Sequence, residues 1–159
     1  EAFGSGLVQL AALGYGLFRG AKGLASRMRK NSVRSANTIR TNGQLVRDIG
    51  ARAEAWGIRE QLTGTARSIG SAKHFYAKKV LERYQRMFGD RGLVAERSFL
   101  NGGRVRYGLP GSARLDVLDI NTGAVWDYKF GSTPMTAAQR AKILTHGPGV
   151  TSITELKYP

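Results

Sequence analysis

Three ionisable residues stand where a buried strand would carry apolar ones. They are Asp116, Asp127 and Lys129, within the stretch Ser-Ala-Arg-Leu-Asp-Val-Leu-Asp-Ile, Asn-Thr-Gly, Ala-Val-Trp-Asp-Tyr-Lys-Phe that spans residues 112–130. Two runs rich in β-branched and aromatic residues flank a turn cluster ending in Gly123, which predicts a β-hairpin. Asp127 and Lys129 are two residues apart, so a strand points both to one face. Asp116 lies on the partner strand. It stands level with Asp127 if the loop is even, either Asn121–Thr122 or Ile120–Gly123, and an odd loop of three would turn it to the opposite face. Two adjacent carboxylates repel, and a divalent cation removes that cost. Hard oxygen ligands with waters left over suit Mg²⁺ or Mn²⁺. A lysine beside such a metal could orient or deprotonate a bound water.

The elements that must position these groups can be read on either side. A helix over about 72–88 is expected, with Ser71 as cap, Phe75, Val80, Leu81, Tyr84 and Met87 on its apolar side, and Gly89 as its stop. Strands follow at about 94–99, 112–120 and 124–130. A second helix over 136–145 is capped by Ser132 or Thr133, and a last strand covers 151–157. Upstream, residues 43–70 suggest two short helices broken at Gly57, Gly64 and Gly70, with Trp56 in the core. Asn101-Gly102-Gly103 reads as a turn. Arg104, Arg106 and Arg114 surround the carboxylates in sequence and would contact a substrate's phosphates. His146, at the end of the second helix, suits a dipole partner better than a general base.

An acid on one strand, Asp-x-Lys on the next, and a following helix that contains Gln resembles the PD-(D/E)xK nuclease superfamily, the restriction-endonuclease-like fold. The resemblance covers roughly the last 90 residues. It implies an α+β domain with an α-β-β-β-α-β core, and a helical extension before it. It also implies roles for single residues. Gln139 would orient substrate or Lys129. The further acid that the first core helix often gives the metal site would be Glu82, with Glu96 on the first strand as its rival. The first acid here follows Leu115 rather than Pro. Acid-x-Lys occurs again at Glu155-Leu156-Lys157, but only Asp127-Tyr128-Lys129 has both an acid on a hairpin partner and a helix downstream.

Composition agrees with a polyanion partner. The chain has 159 residues and a net charge of +14, a field that attracts nucleic acid first and anionic membrane second. It has no cysteine and two histidines, His74 and His146, which excludes disulfide scaffolds, Cys-ligated zinc and thiol nucleophiles. Residues 2–18 carry no charge, yet glycines dilute the run and it is at the short limit for a span. We read it as a Gly-rich helix packing on the domain or on a carrier, without stable membrane anchoring. From Arg19 to Arg47 there is no acid, and the basic run could track phosphates. The expected division is a basic, mainly helical extension over 1–70 and a nuclease-like domain over 71–159.

The chain begins at Glu1 rather than Met, which suggests a piece cut from something larger. A basic nuclease-like module of this kind, with Trp126-Asp127-Tyr128-Lys129-Phe130-Gly131 and His146-Gly147-Pro148-Gly149, is similar to the C-terminal toxin domains of bacterial polymorphic toxins of the Rhs or contact-dependent inhibition type. That resemblance implies a larger secreted carrier, action in the target-cell cytoplasm, and an acidic cognate immunity protein. DNA is favoured over RNA as substrate. Two alternatives remain. One is a metal-independent ribonuclease toxin using His74 or His146. The other is a non-enzymatic module that binds nucleic acid.

Overall fold

The structure is a computed structural model and describes residues 40–158. The uncharged run over 2–18 and the basic stretch from Arg19 as far as residue 39 lie outside the described residues. From residue 42 the chain forms α1 (Asn42–Arg59), α2 (Ala66–Phe88), β1 (Leu93–Leu100), β2 (Gly103–Val105), β3 (Ala113–Asp119), β4 (Ala124–Phe130), α3 (Ala137–His146) and β5 (Ser152–Tyr158). Among the described residues the fold is α+β, three helices and a mixed five-stranded sheet in the order β2-β1-β3-β4-β5. Only β4 and β5 run parallel, and α3 is the crossover between them, as a parallel pair requires.

Local chemistry fixes the helix starts. Thr41 caps α1 by a reciprocal pair: its hydroxyl accepts from the Gln44 amide at 3.1 Å, and the Gln44 side chain accepts from the Thr41 amide at 2.9 Å. Thr65 caps α2 through the Ser68 amide, and Thr136 caps α3 through the Gln139 amide. The caps expected at Ser71 and at Ser132 or Thr133 are therefore displaced: Ser71 lies inside α2, and 132–133 precede α3. The two short helices expected over 43–70 are one helix and the first turn of the next. Gly57 does not break α1. It lets Lys73 cross closely, since a Cβ there would lie 2.5 Å from Lys73 Cε. Gly50 likewise makes room for the Tyr158 ring.

The sheet buries both faces. Leu45, Val46, Ile49 and Ala53 of α1 and Ala77 and Leu81 of α2 pack on Leu93, Ala95, Val117, Tyr128, Leu156 and Tyr158. On the other face Ile143 of α3 packs on Phe99, Ala113, Leu115, Leu118 and Val125. Each fully buried aliphatic contributes about 1.5–3 kcal/mol, so α1 is part of the domain's core. The division expected after residue 70 falls inside α2, and the helix it assigned to the extension is integral. A buried ion pair joins the two helices, Lys73 Nζ lying 2.7 Å from both carboxylate oxygens of Glu54.

Two details of the strands set up the site. The β3–β4 register pairs Val117 with Trp126 and Leu118 with Val125. Extended one residue, it sets Asp116 level with Asp127. The loop is thus the even one, Ile120–Gly123, closed by the Gly123 amide donating to Asp119 O at 2.8 Å. In β1, Glu96 has φ +48°, a conformation rare for a residue with a side chain. Leu93 and Ala95 face one core and Phe99 the other, although alternation alone would put all three on one side. The strand therefore changes faces around Glu96. Asp116 stands opposite, in the one gap of the β1–β3 ladder between Ala95↔Val117 and Arg97↔Leu115. β2 was not expected as a strand. It follows a two-residue turn at Asn101–Gly102, both at positive φ.

Candidate active site

Asp116 and Asp127 open onto one cleft of about 600 Å³, which His74, Lys129, Gln139 and Arg114 also line. Four elements deliver them: Asp116 and Arg114 come from β3, Asp127 and Lys129 from β4, Gln139 from α3 and His74 from α2. Alternation along β4 sends Tyr128 the other way, into the core, where its hydroxyl donates to Val46 O at 3.1 Å. Asp127 is 3 % exposed. Lys129 Nζ lies 2.6 Å from its Oδ2, and Gln139 Nε2 donates to its Oδ1 at 3.3 Å. Asp116 is 5 % exposed and its Oδ2 accepts from the Tyr128 amide at 2.8 Å.

Behind Asp116 lies a second group. His74 Nδ1 is 3.2 Å from Glu96 Oε1 and 3.4 Å from Asp116 Oδ2. Glu96 is held from its outer side, where the Tyr107 hydroxyl donates to Oε2 at 2.8 Å. Arg114 reaches the same oxygen at 3.8 Å and stacks over the Tyr107 ring. A smaller cleft of about 230 Å³ opens here, sharing His74 and Arg114 with the main one.

The electrostatics reflect crowding of charge out of water. Burial pushes the Asp116 carboxyl up to about 7, the neighbouring Asp127 and Glu96 charges adding to the rise and His74 opposing it. Burial also raises Asp127, with Lys129 only partly compensating. Burial alone would raise Glu96, but contact with His74 and Tyr107 outweighs it and lowers its pKa. Burial alone would lower His74, but Glu96 and Asp116 outweigh it and raise its pKa.

The donor chemistry suits a divalent cation. Ligand atoms of His74, Glu96 and Asp116 all lie within 4.8 Å of one another. Glu96 Oε1 and His74 Nδ1 are buried and in ion-pair contact at 3.2 Å, but they are not aligned for a hydrogen bond. Buried polar atoms are rarely left so.

The expected residues divide as follows. Asp116, Asp127, Lys129, Gln139 and Arg114 come together, and of the two rival acids it is Glu96 that joins them. Glu82 stands about two turns beyond His74 on α2 and lines neither cleft. Arg104 and Arg106 are exposed on β2 and the loop after it, and they too line neither cleft. His146 ends α3, where its Nδ1 lies 3.1 Å from Asn101 Oδ1, apart from the site. His74, considered in the sequence only as a ribonuclease base, sits at the centre. Its signal was its spacing from Ala77 and Leu81, three and seven residues on, which puts it on the buried stripe of α2. Asp119, three residues along β3 from Asp116, is buried at the hairpin's end, where it accepts from Asn42 Nδ2 at 2.8 Å and the Asn121 amide at 2.9 Å. Comparisons with protein-family models, curated proteins and solved structures find no significant match.

Proposed function

We propose that this domain is a divalent-metal-dependent nuclease that hydrolyses phosphodiester bonds, with DNA as the favoured substrate. The observation that carries the proposal is the level placement of Asp116 and Asp127 on neighbouring strands, with Lys129 2.6 Å from Asp127 and all three in one cleft. The element order from α2 onward, helix, strands, helix and parallel strand, supports the resemblance to the PD-(D/E)xK superfamily. So does the position of the acids on β3 and β4. A net charge of +14 favours a polyanionic substrate.

Asp116 and Asp127 are the carboxylates that would hold Mg²⁺ or Mn²⁺. A bound cation would lower the pKa of a coordinated water and offset the negative charge on the phosphate. Lys129, only 14 % exposed at its side chain, orients the attacking water or takes its proton. Gln139 fixes the Asp127 carboxylate through its amide. Arg114, at the lip shared by the two clefts, binds a non-bridging phosphate oxygen. The leaving group is the 3′ oxygen of the strand. In the same proposal the domain is the toxic end of a longer secreted polypeptide acting in a target cell's cytoplasm, neutralised by an acidic immunity protein.

The test is incubation of the full chain with plasmid DNA and with total RNA, in Mg²⁺, in Mn²⁺ and in EDTA. Cleavage in metal and none in EDTA is expected, with Lys129→Ala slower by about 10²–10⁴-fold. The place of His74 at the centre of the site favours one competitor, a metal-independent ribonuclease. RNA cleavage that persists in EDTA and disappears in His74→Ala would establish it. Failure to cut either nucleic acid overturns both.

A further inference from the structure

We propose that His74, Glu96 and Asp116 form a three-donor site selective for a first-row divalent transition ion over Mg²⁺. This deepens the metal assignment above, because Asp116 belongs to both donor sets.

Three observations carry it. The first is spacing. Donors in adjacent positions around a six-coordinate ion, with bonds of about 2.1 Å, lie roughly 3.0 Å apart. His74 Nδ1 lies 3.2 Å from Glu96 Oε1 and 3.4 Å from Asp116 Oδ2. The second is the unmet demand for a partner. Glu96 is 93 % buried, and its Oε1 and His74 Nδ1, although 3.2 Å apart, are not aligned for a hydrogen bond with each other. A buried ion pair formed for its own sake would align these atoms. The carboxylates are already oriented from outside, Glu96 through its other oxygen, Oε2, by Tyr107, and Asp116 through Oδ2 itself by the Tyr128 amide. That is how second partners aim metal ligands. The third is strain. Glu96 holds left-handed backbone mid-strand, at φ +48°, an unfavourable conformation for a residue with a side chain, and it is the residue whose carboxylate meets His74.

Selectivity follows from the nitrogen. Mg²⁺ takes oxygen ligands and gives up water reluctantly. Imidazole favours the later first-row ions, whose affinity for a mixed nitrogen and oxygen site rises from Mn²⁺ upward. Nature of substrate plays no part in this choice.

The probe is Mn²⁺ itself, added to the full chain without nucleic acid and followed by electron paramagnetic resonance. The expected results are bound Mn²⁺ with nitrogen hyperfine coupling from one imidazole, and its retention against a roughly 100-fold excess of Mg²⁺. His74→Ala should remove the nitrogen coupling and weaken binding by at least ~10-fold. His146→Ala should change neither, and circular dichroism checks each variant's fold. Bound Mn²⁺ without nitrogen coupling in the wild type overturns the proposal, as does displacement by equimolar Mg²⁺ or no binding at all. None of these results depends on cleavage. A protein that cuts plasmid in Mg²⁺ yet shows no nitrogen-ligated Mn²⁺ sinks this site and leaves the nuclease standing.

Discussion

Asp127→Asn and Asp119→Asn, two substitutions of the same kind on one hairpin, should fail in opposite ways. Asp127 faces the cleft, and its charge is met by Lys129. Asparagine keeps its shape and can still accept from Gln139, so the fold should hold while the charged ligand is lost. Plasmid nicking should fall below detection with little change in melting temperature. Asp119 ties the hairpin to the start of α1. It accepts from Asn42 Nδ2, the Asn121 amide and the Thr122 amide. Asparagine can keep the two amide bonds but turns an NH₂ or a neutral oxygen toward Asn42. The loss is about one charge-assisted hydrogen bond, roughly 1.5–3 kcal/mol. At about 2–4 °C per kcal/mol for a chain of this size, melting falls by roughly 3–12 °C. Cleavage measured below the transition should stay near the wild-type rate. The stability defect is also pH-dependent. Burial would raise the Asp119 pKa, but its hydrogen bonds outweigh that and hold it below the ordinary value. A lowered folded pKa stabilises at pH above the unfolded value of about 3.9, and the contribution disappears as pH falls through the folded value. The gap between wild type and Asp119→Asn should therefore be full at neutral pH and close in acid. If Asp119→Asn abolishes nicking with unchanged melting, or Asp127→Asn cuts at the wild-type rate, the chemistry has been placed on the wrong end of the hairpin.

Three further outcomes test the scaffold. Lys73→Met leaves the buried Glu54 carboxylate alone and should cost about 3–5 kcal/mol in urea unfolding, while adding Glu54→Leu should recover most of it. Gly123→Ala should destabilise by more than about 2 kcal/mol, because Gly123 has φ +74° and an added Cβ would lie 1.9 Å from Gly149 O, which is backbone and cannot swing aside. Deletion of residues 1–30 should leave the far-ultraviolet circular dichroism and melting of the remainder intact, since the described core draws on residues from Leu45 onward; deletion of 1–60 should unfold it.

The hairpin was legible because its signals are local. Alternation and an Asn-Thr-Gly turn depend on neighbours in sequence, and an even loop sufficed to put Asp116 level with Asp127. The start of α2 was not legible. Gly70 reads as a break and Ser71 as a cap, and burial of Lys73 and Ala77 against α1 overrides those preferences. The same holds for Gly57, which reads as a break and serves as a crossing point. No residue pattern announces the change of face at Glu96, because glycine or asparagine is the usual sign of positive φ. A reader of β1 would have turned either Ala95 or Phe99 to the wrong side.

His74 shows why the site's inner half escaped the sequence while its outer half did not. Asp127 and Lys129 are conspicuous because charge is costly on a central strand. A histidine on the buried stripe of a helix is ordinary, and most such residues are satisfied by packing. Its meaning depends on what stands 22 residues away at Glu96, whose side chain reaches it only through an irregular backbone. The second acid-x-Lys motif makes the complementary point. Glu155 and Lys157 run in parallel register beside Asp127 and Lys129, so sequence and strand position are alike. Yet one Glu155 oxygen is taken by the Met135 amide at 3.0 Å, and Lys157 is exposed. What separates the two motifs is their neighbours. Asp127 has Asp116 across the antiparallel edge, and among the described residues β5 has no strand beyond it. A second acid therefore stands level with the inner motif and not with the outer one.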